Sequence, residues 1–241
     1  MGSSLLSSDP EFNEQEQRFR NLERKALRLI QDTKSYRDSI SEMTSSQKKL
    51  AESLTAFLID VQRPQEHQAA YRQASMAIDE SSRPMFDEVY VQTVMEPIAR
   101  YCGYLPEFDK AIKKRKHRLE DLEKAKRALA KEQGKAAQDP VAVEKAEQDV
   151  QYAAAAYENL NVALITETPK LINSRVYVID PSFEAFVKAQ LQFFNDSLQQ
   201  MENVGRFLPP QDALNDERVL NDRIESVMGQ LRTLSICSLN V

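Results

Sequence analysis

Eleven basic residues crowd the stretch from Lys110 to Lys135: Lys110, Lys113, Lys114, Arg115, Lys116, Arg118, Lys124, Lys126, Arg127, Lys131 and Lys135. Four acidic residues share it (Glu120, Asp121, Glu123 and Glu132). It therefore carries +7, and the other 215 residues carry −12, in a chain whose net charge is −5. Lys113, Lys116, Glu120, Lys124, Arg127 and Lys131 recur every three or four residues, so a helix presents them on one face. A mostly cationic face on an acidic protein aims one surface at something negative. No Phe, Tyr or Trp lies between Ile112 and Val150 to stack on bases, so nucleic acid is not the expected partner. A phosphate-rich membrane surface requires only charge, and each Lys or Arg near an anionic leaflet contributes about 1 kcal/mol.

Catalytic chemistry is poorly represented. Only two histidines occur, His67 and His117, and His117 sits among Lys113, Lys114, Arg115, Lys116 and Arg118. There is no Glu-x-x-His pair, no phosphate-binding glycine loop and no nucleophile elbow, and Cys102 and Cys237 share no metal-binding spacing. No catalytic residue, metal site or cofactor is expected.

The elements that carry the cationic face read as long helices. Five glycines and no Trp leave few places for hairpins or tight βα turns. A first helical stretch is expected from about Glu11 to Gln62. Its seam is Phe19, Leu22, Ala26, Leu29, Thr33, Tyr36, Ile40, Met43, Gln47, Leu50, Leu54, Phe57 and Val61. That spacing of three and four marks coiled-coil-like packing. Pro64 closes it. A second stretch, about Glu66 to Gln133, has Ile98, Tyr101, Leu105, Phe108, Ile112, Arg115, Leu119 and Leu122 on its seam, with kinks expected at Pro84, Pro97 and Pro106. Gly134 and Gln138-Asp139-Pro140 turn the chain. A third stretch runs from about Val141 to Leu208 past Pro169 and Pro181, and a short amphipathic helix with Leu220, Ile224, Val227, Leu231 and Leu234 follows Pro209-Pro210. Thin helices of this length bury little core alone, which favours self-association. Phe183, Phe186, Phe193 and Phe194 are the candidate dimer interface, an intramolecular core cluster being an equal alternative for any one of them. No apolar run is long enough to span a bilayer and no secretory signal is evident, so a cytoplasmic location is expected.

The segments FNEQEQRFRNLE, EPIARYCGYLPEFDKAIKKRKHRLEDLEKAK, ENLNVALITETPKLINSRV, DPSFEAFVKAQLQFF and IESVMGQLRTLSICSLN resemble, in this order, the BAR-domain family. The resemblance is closest to its amphiphysin/Rvs-type, bridging-integrator-like branch without an SH3 domain, and it covers the chain from Asp9 onward. It implies an all-α, proline-kinked antiparallel three-helix coiled coil that dimerises into a crescent-shaped six-helix bundle, bent at Pro97, Pro169 and Pro181. It implies lipid-binding cations at Lys113, Lys116, Lys124, Arg127, Lys131, Lys135 and Lys145, facing phosphatidylserine or phosphoinositides on a concave surface. It further implies a role in endocytosis and cortical actin organisation, as a homodimer or as a heterodimer with an amphiphysin-like relative. The expected division is an unfolded or cloning-derived segment 1–10, a BAR domain 11–208, and a C-terminal helix packing on the bundle within 209–241. Members usually begin with a segment rich in Lys and Phe; MGSSLLSSDP has neither, so the cationic face is expected to hold the membrane largely alone. The competing expectation is a coiled-coil adaptor that binds a small GTPase or an amphiphysin-like protein rather than lipid.

Overall fold

The computed structural model describes residues 9–59, 66–135, 139–208, 217–234 and 236. The described residues are helical, with no strand among them, as expected. Helix α1 spans Pro10–Phe57, α2 Glu66–Ala77, α3 Arg83–Tyr90, α4 Glu96–Cys102, α5 Leu105–Gln133, α6 Pro140–Gly205 and α7 Glu217–Arg232. Expected features at residues 1–8, Val61, Gln62, Pro64, Gln138, Pro209-Pro210 and Cys237 lie outside the described residues.

The second expected stretch starts and ends where predicted, and its prolines explain its interruptions. Two π-helical turns, Ile78–Ser82 and Val91–Met95, punctuate it. Each is followed at the second position of the next α-segment by a proline, Pro84 or Pro97. A proline ring presses on the carbonyl four residues earlier and donates no N–H. Those carbonyls belong to Glu80 and Thr93, both inside the π turns, whose wider spacing gives the ring room. Pro106 restarts the chain as α5 after a break at Gly103 and Tyr104, where the Gly103 N–H donates to the Ala99 carbonyl at 2.9 Å. Pro169 and Pro181 sit within the continuous 66-residue α6. Beside Pro181, the buried Ser182 Oγ donates to the Val178 carbonyl at 2.8 Å.

Two compact units make up the chain: Met1–Met43 with Arg83–Phe193, and Thr44–Ser82 with Phe194–Val241. In the first, α1 buries Phe19, Leu22, Ala26 and Ile40 along the predicted seam, and Phe12 ahead of it. Its core includes an aromatic cluster. The Tyr36 ring lies 5.2 Å from Phe186 and 5.9 Å from Tyr90, and Phe86 lies 5.1 Å from Tyr90 and 5.5 Å from Phe193. The Tyr90 hydroxyl donates to the Thr33 carbonyl at 3.0 Å, and burial, with Tyr36 alongside, pushes its pKa up to about 12.

In the second unit the α1 seam departs from expectation by one residue. Thr44 and Ala51 are 0% and 1% exposed, whereas Leu50, Leu54 and Phe57 are 54%, 45% and 86% exposed. Buried positions advance by four from Ile40 to Thr44, so the stripe follows the straight-helix period of 3.6 more closely than a heptad does. Ala51, Ala74, Ser75, Ile78 and Val204 are buried here, and the Thr44 hydroxyl donates to Asp79 Oδ1 at 2.8 Å. Lys48 pairs with Glu80 at 2.7 Å just outside.

Candidate membrane interface and apolar faces

Helix α5 positions the cations. Leu105, Ile112 and Leu122 anchor its inner face, so Lys113, Lys116, Lys124, Arg127 and Lys131 all stand exposed, as does Lys135 just past the helix end. Ion pairing sorts them further. Lys113 is held by Asp109 at 2.6 Å and Lys135 by Glu132 at 2.5 Å. The Lys113 hydrogen bond is the main reason the Asp109 carboxyl titrates below its usual value, with Arg20 next. Lys110, Arg118 and Lys126 also face carboxylates, on Glu107, Asp121 and Glu123. Among the described residues no ion pair engages Lys116, Lys124, Arg127 or Lys131; Arg127 Nε donates instead to the Glu123 carbonyl at 3.2 Å. Lys114, exposed and likewise engaged by no ion pair among the described residues, is a fifth; the rest of the uncompensated charge of α5 lies on four of the seven predicted residues. The seventh, Lys145, is exposed on α6 in an acidic neighbourhood, with Glu144, Glu147, Asp149 and Glu158 along the same stretch. Exposed pairs three or four residues apart are worth at most about 1 kcal/mol, so the paired lysines can exchange a carboxylate for a phosphate at little cost.

One cation of the window is turned inward. Arg115, on the expected apolar seam, is 3% exposed. Its Nε donates to Asn161 Oδ1 at 2.6 Å, and its Nη2 donates to the Tyr157 hydroxyl at 2.8 Å and to Asp9 Oδ2 at 3.3 Å. The Phe12 ring lies 3.5 Å beneath the guanidinium. Asp9 is also the N-cap of α1, accepting the Phe12 N–H at 3.1 Å, and it accepts the Asn161 amide at 3.0 Å. Burial pushes the Asp9 carboxyl up, but the Phe12, Asn161 and Arg115 donors outweigh it and leave its pKa below the usual 3.8. This network pins the start of α1 between α5 and α6 beside the cationic face. Asp9-Pro10 was a readable helix-start signal; its link to Arg115 and Asn161 is long-range and leaves no periodic trace.

The four phenylalanines divide. Phe193 is buried against Phe86, and Phe186 lies half-buried against Tyr36 and Tyr90, so both serve their own protomer's core. Phe183 and Phe194 are exposed. The second unit adds exposed apolar side chains at Leu50, Leu54 and Phe57 of α1, Leu198 of α6, and Leu220, Ile224, Val227 and Leu231 of α7 with Leu234 just beyond it. Among the described residues no helix is long and apolar enough to cross a membrane.

Known proteins share this arrangement of helices. The BAR domain family model matches residues 3–208. "Protein hob3" of Schizosaccharomyces pombe is 35% identical over 96% of this chain and 88% of its own. "Regulator of cytoskeleton and endocytosis RVS161" of Candida albicans is 33% identical over 96% of this chain and 89% of its own. Among solved structures, the Drosophila amphiphysin BAR domain superposes with a TM-score of 0.70 at 22% identity, covering 86% of this chain and 94% of that one. With α1, the interrupted α2–α5 stretch and α6 as its three long coiled-coil elements, the chain belongs to the BAR-domain family, the dimerising helical scaffolds of curved membranes.

Proposed function

We propose that this chain docks on anionic bilayers through α5, with Lys116, Lys124, Arg127 and Lys131 supplying most of the attraction. Lys113, Lys135 and Lys145 add to it as their carboxylate neighbours yield to lipid phosphate. The observation that carries this reading is the concentration of unpaired cations on one exposed helical face of an otherwise acidic protein. Phosphatidylserine and phosphoinositides supply the matching charge. Residues 11–208 form the scaffold, self-associating through the exposed Phe183 and Phe194, with Phe186 and Phe193 behind them. The chain pairs with a second copy or with an amphiphysin-like relative. The name of the RVS161 relative, a regulator of cytoskeleton and endocytosis, supports a role for this chain in endocytosis and cytoskeletal organisation, which we place in the cytoplasm, peripherally on the membrane and at cortical actin.

Electrostatic docking has a measurable signature. The screening length falls from about 10 Å at 0.1 M salt to about 3 Å at 1 M. Co-sedimentation with phosphatidylserine vesicles is expected to fall steeply across that range, with little binding to neutral phosphatidylcholine at any salt. Binding indifferent to lipid charge, together with capture of a defined protein partner, would establish the adaptor reading instead.

A further inference from the structure

A groove bounded by α1, α4 and α6 is lined by no residue of the docking helix α5. At one end, a cavity of about 400 Å³ has the buried Leu22, Ala26 and Ile172 on its floor and the exposed Arg18, Lys25 and Arg175 around its mouth. At the other end, a cavity of about 340 Å³ is lined by Tyr36, Val94, Ile98 and Phe186. Leu29 and Ile179 line both, so the two cavities adjoin. Every one of these residues belongs to the first compact unit.

Charge is sorted along the groove. Among the described residues no ion pair engages Lys25 or Arg175, and Arg18 donates to the neutral Gln15 Oε1 at 3.0 Å. Asp32 is the one carboxylate lining either cavity; it stands at the apolar end, where Arg28 pairs with it at 3.5 Å. In a chain of net charge −5, three cations unanswered by carboxylates beside an apolar floor fit an anion that carries a hydrocarbon. Lys25 and Tyr36 are separated by about 16 Å of helix, the reach of a long acyl chain. A docked peptide helix is about 10 Å across, too wide for cavities of this size. We propose that the groove binds a single-chain anionic amphiphile. Its carboxylate or phosphate head is held by Arg18, Lys25 and Arg175, and its chain lies past Leu29 and Ile179 towards Tyr36 and Phe186. Burial of the chain drives binding, and the cations fix its direction. The site takes one molecule per protomer and does not depend on the α5 face.

The test is calorimetric titration of the whole chain, without vesicles, with myristate and with tetradecyl phosphate, each below its micellar concentration. Binding of one molecule per protomer is expected for at least one of them; which one binds identifies the head group. Tetradecyltrimethylammonium, octyl phosphate and inorganic phosphate are each expected to bind about tenfold more weakly or less. Lys25→Glu with Arg175→Glu, both at exposed positions, is expected to weaken binding about tenfold or more, with helix content unchanged. Ile179→Trp, which narrows the junction of the cavities, is expected to remove the advantage of the tetradecyl chain over the octyl chain. Failure of both ligands to bind, equal binding of the ammonium amphiphile, or affinity unchanged by the charge reversal would each overturn the site. The chain carrying Lys116→Glu, Lys124→Glu, Arg127→Glu and Lys131→Glu is expected to bind the amphiphile as the parent does, so failure of this site and failure of membrane docking are told apart.

Discussion

A guanidinium excluded from water costs several kcal/mol unless every side of it is met. Arg115 is met by three side-chain oxygens that accept from it, Asp9 among them balancing its charge, and Phe12 stacks beneath it. The arrangement makes the first helix's start conditional on a charge. Because the folded Asp9 pKa lies below the unfolded value, its contribution is present above about pH 3.8 and is lost as pH falls through the lowered folded value. Asp9→Asn keeps the cap but removes the charge. It is expected to lower stability by about 2 kcal/mol at neutral pH, the scale of hydrogen bonds to charged groups. The gap in thermal midpoint between the two proteins should shrink as pH falls below 3.8. A gap that is constant with pH would show the Asp9–Arg115 pair to be inert.

At the scale of elements, α1 carries two stripes, one buried in the bundle and one exposed. Its bundle-facing stripe beyond Ile40 passes through Thr44 and Ala51, and the larger side chains at Leu50, Leu54 and Phe57 face outward. Thr44→Leu is therefore expected to destabilise the protomer by about 1–3 kcal/mol, through overpacking and loss of the bond to Asp79. Leu50→Ser should leave the protomer's unfolding at low concentration nearly unchanged while weakening association. The opposite pattern, measured by thermal unfolding at several protein concentrations, would return the seam to a strict heptad. The reason this was hidden in the sequence is physical. Hydrophobic periodicity reports where large apolar residues fall, not which neighbour covers them, and here the outer stripe holds the larger ones. The helix breaks, by contrast, were legible, because proline's lost donor and its pressure on the carbonyl four residues back act locally at Pro84, Pro97 and Pro106. The π-helical form of the first two breaks was not; Ile78 and Val94, one inside each π turn, stay buried.

For the whole molecule, charge is distributed by helix. The exposed residues of α5 carry the cations while the opening of α6, from Glu144 to Glu158, is acidic. The basic window was legible from composition alone. What composition could not show was the sorting within it, because Lys113 and Lys135 sit against carboxylates and Arg115 is internal. The central claim is that Lys116, Lys124, Arg127 and Lys131 hold the membrane, and one comparison tests it most directly. Binding to phosphatidylserine vesicles at 0.1 M salt is measured for the chain carrying Lys116→Glu, Lys124→Glu, Arg127→Glu and Lys131→Glu. A control carries Lys188→Glu, which alters an exposed α6 lysine paired with Glu184. At about 1 kcal/mol per cation, loss of the four weakens binding about a thousandfold, and the control should bind as the parent does. Equal binding by the reversed chain and the parent, with helix content intact, would contradict the account.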